Sequence, residues 1–560
     1  MDYKDYLSGF GKGLDKDIES FKQRSDAFIK QYTSRNPGIA EEAPSNKAKP
    51  TSSKGKKGIL MTDIDALAKK CKKKRASVES VFNSFIEGSE LIGIHWELLD
   101  ANRSTYAYAF EESDDWKAYD SIIEDFISGM GLDPGDSLGL FIIGGDDVIP
   151  MPKVDCPLSG LTSNPLDVDY MYCFGGEESD SVRCSVGRLP LENGQVKDGL
   201  DLIDEYFNKC LASYDGIGLD VNKGIMTSTE SWLPSSHEMI RDLPIQTLVP
   251  EYNCTDKNLF VSPKLDSTDE RTQAKFNEAI GDADFLMFNL HGSDGYENAS
   301  YYGEDKNHRS YPEAFTSENI FSTTAIIINS TACYGGRYVG YDRDHSLLLQ
   351  GIYGSALLYT ASCTTALGRG NGWSEAVDLL MPAGMSETLL KLYSLYLYRG
   401  MDAGRALLKA KADYYQTCRE TDGENESLAT ILMFNLYGNP LLNMKPKMEK
   451  DSRSKSMDTG STKNNIKLST GVEGAVCAVT NEVRELVDSG LDDIRETIKD
   501  TLYKEFGLDP EDFTEMNTIV QDGVDKGYVL TYSKNVGPFT RKVFAKTDLE
   551  GNVKDIIHTK

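Results

Sequence analysis

Five short apolar runs, spaced by stretches of helical periodicity, constrain this chain more than anything else in its sequence. They are LGLFIIGG (138–145), GIMTS (224–228), DFLMFNL (284–290), AIIINSTA (325–332) and GSALLYTAS (354–362), with DLIDEYFNKCL (201–211) among the helical stretches between them. A strand that alternates apolar and polar residues has one wet face, whereas an uninterrupted apolar strand must be covered on both. The expected class is therefore α/β, a mostly parallel sheet flanked by helices. Further helices are expected over 373–396 and 401–418.

Open parallel sheets gather reactive groups at the carboxyl ends of their strands. Here DFLMFNL runs into His291–Gly292, and AIIINSTA runs into Cys333–Tyr334–Gly335–Gly336. A thiol becomes a nucleophile when a base lies beside it, and an imidazole at a neighbouring strand end supplies one. Gly292 would let a carbonyl approach, and the amides of Gly292 and Cys333 are candidate oxyanion donors. Cys363, at the end of its own apolar run, is the rival nucleophile. His237, His308 and His345 are the rival bases, and each lies in a polar loop or at a helix start.

The stretches FNLHGSDG and AIIINSTACYGG resemble the His-Gly and Ala-Cys boxes of caspase-clan cysteine peptidases, and more closely those of the gingipain-like family. LFIIGGDDVIP (140–150), DVDYMY (167–172) with CSVGRLP (184–190), and LYGNPLL (436–442) are similar to other boxes of that family in order and spacing. Asn439 stands where that family usually has Asp. The resemblance covers about 138–443 and implies a caspase-like sandwich. It also implies a cysteine endopeptidase that forms an acyl-enzyme at Cys333 with His291 as base. By the same resemblance Glu230 would orient the histidine, and Trp373 would wall the primary specificity pocket. Residues 231–237 (SWLPSSH) lack the aspartate of arginine-specific members, while Glu375 lies near an acid of lysine-specific ones. The implied preference is a basic P1 residue, lysine before arginine.

With 560 residues, several structural units are expected. We divide the chain into an N-terminal helical segment (1–35), a basic flexible linker or prosegment (36–75) and a peptidase domain (76–443), whose catalytic part is about 215–443. A polar linker (444–470) and an α+β accessory domain (471–560) follow. In the last, Ile494, Ile498, Leu502 and Phe506 recur as on one helix face, and strands are expected at 528–532, 542–546 and 553–559. The Lys-rich stretches 47–57 and 69–75 are candidate autoprocessing sites.

A net charge of −28 argues against nucleic acid, which is bound by clustered Lys and Arg. No run approaches the roughly 18 apolar residues of a membrane span, and the N-terminus lacks the apolar segment of a signal peptide. The cysteines form no CxxC pair, so reduced thiols and a cytoplasmic location are expected. No cofactor is called for. YDRDH (341–345) offers acids for calcium but misses the EF-hand spacing. The partners expected are a protein or peptide substrate and an activating or inhibitory protein. The competing reading is a regulatory scaffold that uses a caspase-like domain to bind its partner. A nucleotide-binding protein is disfavoured, since IIGGDD carries neither GxGxxG nor a Walker lysine.

Overall fold

The computed structural model describes residues 56–102, 116–131, 138–158, 165–174, 182–240, 243, 259–262, 279–293, 299–305, 308–369, 384–447, 483–485, 492–506, 508–521, 524–536 and 539–559. The expected N-terminal helix, residues 36–55 and 448–470 of the two linkers, Trp373 and Glu375 lie outside these residues.

The body of the molecule is a ten-stranded sheet built from two parallel halves that meet antiparallel. One half is formed by β1 (Lys56–Thr62), β2 (Ile94–Asp100), β3 (Leu138–Ile143) and, past a small ribbon of β4 (Lys153–Val154) and β5 (Leu166–Asp167), β6 (Ser185–Leu189). The other half begins with β7 (Gly224–Thr229), β8 (Leu259–Ser262) and β9 (Phe285–Asn289). A three-stranded sheet of β10 (His291–Gly292), β11 (Ser300–Tyr302) and β12 (Glu313–Thr316) projects from the end of β9. Then come β13 (Ile327–Ser330), β14 (Leu358–Ser362), the short β15 (Leu367–Arg369) and β16 (Phe434–Gly438). The order β2-β1-β3-β6-β16-β14-β13-β9-β7-β8 puts the seam at β16, which is parallel to β6 and antiparallel to β14.

The apolar runs are the central strands. β3, β9, β13 and β14 are buried at every position, and each large apolar side chain removed from water contributes about 1.5–3 kcal/mol. Helices Arg75–Leu91 and Gly199–Ser213 join through Phe85 and Phe207, whose rings stack at 4.0 Å. The expected later helices are Met385–Tyr398 and Ala403–Asp422.

The sheet corrects one boundary. Residues 56–75, expected as part of a basic linker, are β1 and helix Ile64–Cys71, and β1 lies inside the sheet between β2 and β3. Lysines conceal an apolar segment here. GILMT is the buried part of β1, while Lys56 reaches the Leu441 carbonyl at 2.8 Å and Asp402 at 2.5 Å. Lys70 is buried and pairs with Asp147 at 2.7 Å. Long stems lie along the core while their charged heads find partners.

The C-terminal region is a six-stranded antiparallel sheet completed by β17 (Val483–Glu485), β18 (Phe513–Gln521), β19 (Val524–Val536), β20 (Phe539–Thr547) and β21 (Val553–Thr559). Helix Asp492–Phe506 sets Ile498 and Leu502 into a small core with Leu530, Tyr532, Val543 and Ile556. The expected strands are therefore present, but the unit is not separate. Its edge strand is β15, from the α/β body, paired with β21 through Gly368 and His558. Phe544 and Ile557 pack into the main core, and Lys546 pairs with Glu426.

Candidate active site

The register of two neighbouring strands makes the site. β9 and β13 are parallel with Phe288 opposite Ser330, so His291 and Cys333 each lie three residues past a matched pair, at the same carboxyl edge. The strand ends are stapled together: the Thr331 amide donates to the Phe288 carbonyl at 3.0 Å, and its hydroxyl donates to Asn289 Oδ1 at 2.9 Å. A Cβ on Gly292 would fall 1.8 Å from the Cys333 carbonyl oxygen. Gly292 is thus demanded by the backbone of the cysteine itself, whatever role it has toward substrate.

Cys333 is buried, 4% exposed. The Ala366 amide, on the loop between β14 and β15, donates to its sulfur at 3.2 Å. The next residue, Tyr334, has φ of 55°, a left-handed conformation that costs a non-glycine residue of order 1–3 kcal/mol and occurs preferentially at functional sites. It is held there by the hydrogen bond that its amide donates to the Thr364 carbonyl at 2.8 Å. Beside the sulfur is a cavity of about 30 Å³ whose lining includes Ser293, Tyr301, Arg337, Tyr341 and His345. That is space for a water molecule or two.

His291 is fully buried. Its ring lies 4.3 Å from that of Trp232 and 5.8 Å from that of Tyr311, and its Nε2 is 3.3 Å from Oε2 of Glu304. Glu304 is fully buried as well. Ser231 donates its hydroxyl to Oε2, Arg541 donates to Oε1, and His308 Nδ1 is 3.0 Å from Oε1. Burial would raise the Glu304 pKa. The Arg541 guanidinium, then His291 and His308, outweigh it and hold the carboxyl well below the usual carboxylate range. Sequence reasoning missed Glu304, Ser231, Trp232 and Arg541. The available signal was the short SYY run before Glu304, which here is β11 with all three residues buried.

Glu230, expected to orient the histidine, follows β7 directly, and its backbone amide donates to the Glu304 carbonyl at 2.9 Å. The segment after β7 thus does flank His291, through Ser231 and Trp232. Among the rivals, burial pushes the Cys363 thiol up to about 12, which suits a structural cysteine. His308 is not a solvated loop residue: it is buried, has φ of 55° and belongs to the Glu304 cluster. His345 pairs with Asp342 at 2.5 Å inside the YDRDH turn. The backbone of His237 lies in helix Leu233–Ile240.

Comparison with protein-family models and with curated proteins gives no match. Among solved structures, the complex of the pro- and mature domains of Porphyromonas gingivalis RgpB is similar at a TM-score of 0.44 and 9% identity, over 90% of this chain and 99% of that one. The Arg-specific cysteine proteinase gingipain R (RgpB) is similar at the same TM-score and identity, over 91% of this chain and 99% of that one. The likeness is distant. No described helix is long and apolar enough to cross a membrane.

Proposed function

We propose that this chain is a cysteine endopeptidase working through His291 and Cys333. The observation that carries the reading is the matched register of β9 and β13, which sets imidazole and thiol at one sheet edge with Gly292 against the Cys333 backbone. In the reaction the Cys333 sulfur attacks the scissile carbonyl carbon and the C–N bond breaks. His291 delivers the proton to the departing amine, leaving a thioester. Water, losing its proton to His291, then releases the acid. The amides of Gly292 and Cys333 serve the oxyanion, and Glu230 and Glu304 are the carboxylates available to orient the imidazole.

Both reacting residues are buried, so a local opening, driven by a protein partner or by cleavage, precedes turnover. The basic P1 preference rests on Trp373 and Glu375. Fluorogenic peptides with Lys, Arg, Asp or Leu at P1, assayed with wild type and Cys333→Ala, test all of this. Cleavage after Lys or Arg that disappears in the variant is expected. Cleavage that persists in Cys333→Ala overturns the assignment, and cleavage after Asp alone overturns the basic pocket.

A further inference from the structure

The C-terminal sheet reaches the catalytic histidine at two places. Arg541, on β20, donates to Oε1 of Glu304, whose other oxygen faces His291 Nε2 at 3.3 Å. His558, on β21, stacks at 5.3 Å on Trp232, whose ring also meets His291. Arg541 is 237 residues from Glu304 in sequence and only 2% exposed. We propose that Arg541 is a positioning residue of the active centre, acting through Glu304 on His291, and that the C-terminal sheet is therefore part of the catalytic machinery. The inference rests on the reading of His291 as the catalytic base.

The physical argument starts from the carboxylate. A fully buried, unpaired carboxyl group takes up a proton, because the low-dielectric interior penalises its charge. A neutral Glu304 would be a poor acceptor for the imidazole N–H and would offer nothing to a developing imidazolium. Arg541 keeps it ionised, and among the described residues it is the arginine or lysine paired with Glu304. Ser231 and the amides of Glu230 and Ser231, which donate to the Glu304 carbonyl, fix its direction. The groups around His291 are Glu304 and Tyr311 from the β11–β12 region, Trp232 from the β7 end, and His308, Arg541 and His558 one step behind them. The sum is one anion and one cation, and because the anion stays ionised only beside the cation, removing either should move His291 in the same direction.

Imidazole NMR titration of His291 in the full-length protein reads this whether or not any peptide is cleaved. Arg541→Met lets the buried Glu304 take up a proton, so His291 loses its anionic neighbour and should release its proton at a pH lower by about one unit, the same direction and size as in Glu304→Gln. In the peptidase assay each variant should lose about tenfold or more in kcat with KM little changed, and Arg541→Met in the Glu304→Gln background should cost nothing further. A folded Arg541→Met whose His291 titrates as in wild type overturns the proposal, as do losses that multiply in the double variant. Should Arg541→Met fail to fold, the charge-balanced pair Arg541→Met with Glu304→Met replaces it. A downward shift is then expected, because the nearer charge is the carboxylate, and an unmoved titration overturns the inference. A wild type silent on every peptide both before and after limited proteolysis would count against the peptidase reading alone, with the NMR arm still deciding the role of Arg541.

Discussion

Each side of the molecule buries an arginine against a carboxylate, and the two pairs are built in different ways. On β6, Arg188 grips both oxygens of Asp169 at 2.7 Å and spends its remaining N–H groups on the carbonyls of Gly144, Ile149 and Pro150. Both residues come from one short stretch of chain, and the pair has no imidazole in it. At the other pair, Arg541 comes from the far C-terminus and Glu304 is shared between two histidines and a serine. A saturated pair of that first kind can only hold shape. A pair that shares its anion with titratable rings can also register a proton.

The largest effect separates them by stability. Removing one partner of a buried ion pair strands the other in the interior at a cost of about 3–5 kcal/mol. Arg188→Met should lose that much in denaturant unfolding while leaving the His291 titration unchanged. A loss below about 1 kcal/mol would mean that Asp169 simply protonates at little cost, and a moved His291 would dissolve the contrast between the two pairs.

That contrast also explains what could be read from the sequence. The strands were legible because FLMF and AIII are unbroken apolar runs, and the shared edge of His291 and Cys333 followed from neighbouring parallel strands. The segment 56–75 was misread because lysine stems at 56 and 70 lie along a core that their composition does not announce. Glu304 sits in GEDKNHR, where an acid in a chain of net charge −28 reads as solvated. Its burial depends on an arginine 237 positions away, and no local pattern carries that information.

Glycines sharpen the comparison at the next size of effect. In the first half a Cβ on Gly187 would meet the Gly438 carbonyl oxygen at 2.3 Å, across the β6–β16 pairing, and in the second a Cβ on Gly292 would meet that of Cys333 at 1.8 Å. Overpacking of this kind costs typically about 1–3 kcal/mol. Both alanine variants should lower the thermal midpoint. Only Gly292→Ala should slow alkylation of the Cys333 thiol by iodoacetamide, because only there does the displaced backbone carry Cys333 itself. Equal alkylation rates in the two would show that the β10 backbone does not set the position of Cys333.

The smallest effect is one of acid stability, and its sign follows from Glu304. The folded protein holds this carboxyl well below its ordinary value, with Arg541, His291 and His308 outweighing the effect of burial. The unfolded chain titrates near 4.3, so between that pH and the folded value only the unfolded state binds the proton. The stabilisation is complete above the unfolded value and drains away as pH falls through that window, by up to about 1.4 kcal/mol for each pH unit. Glu304→Gln should therefore lose stability at neutral pH and show a shallower acid slope than wild type. Unfolding free energies measured from pH 6 to pH 3 give both slopes. Parallel curves would mean that Glu304 is protonated in the fold after all, and the charge proposed to support His291 would be gone.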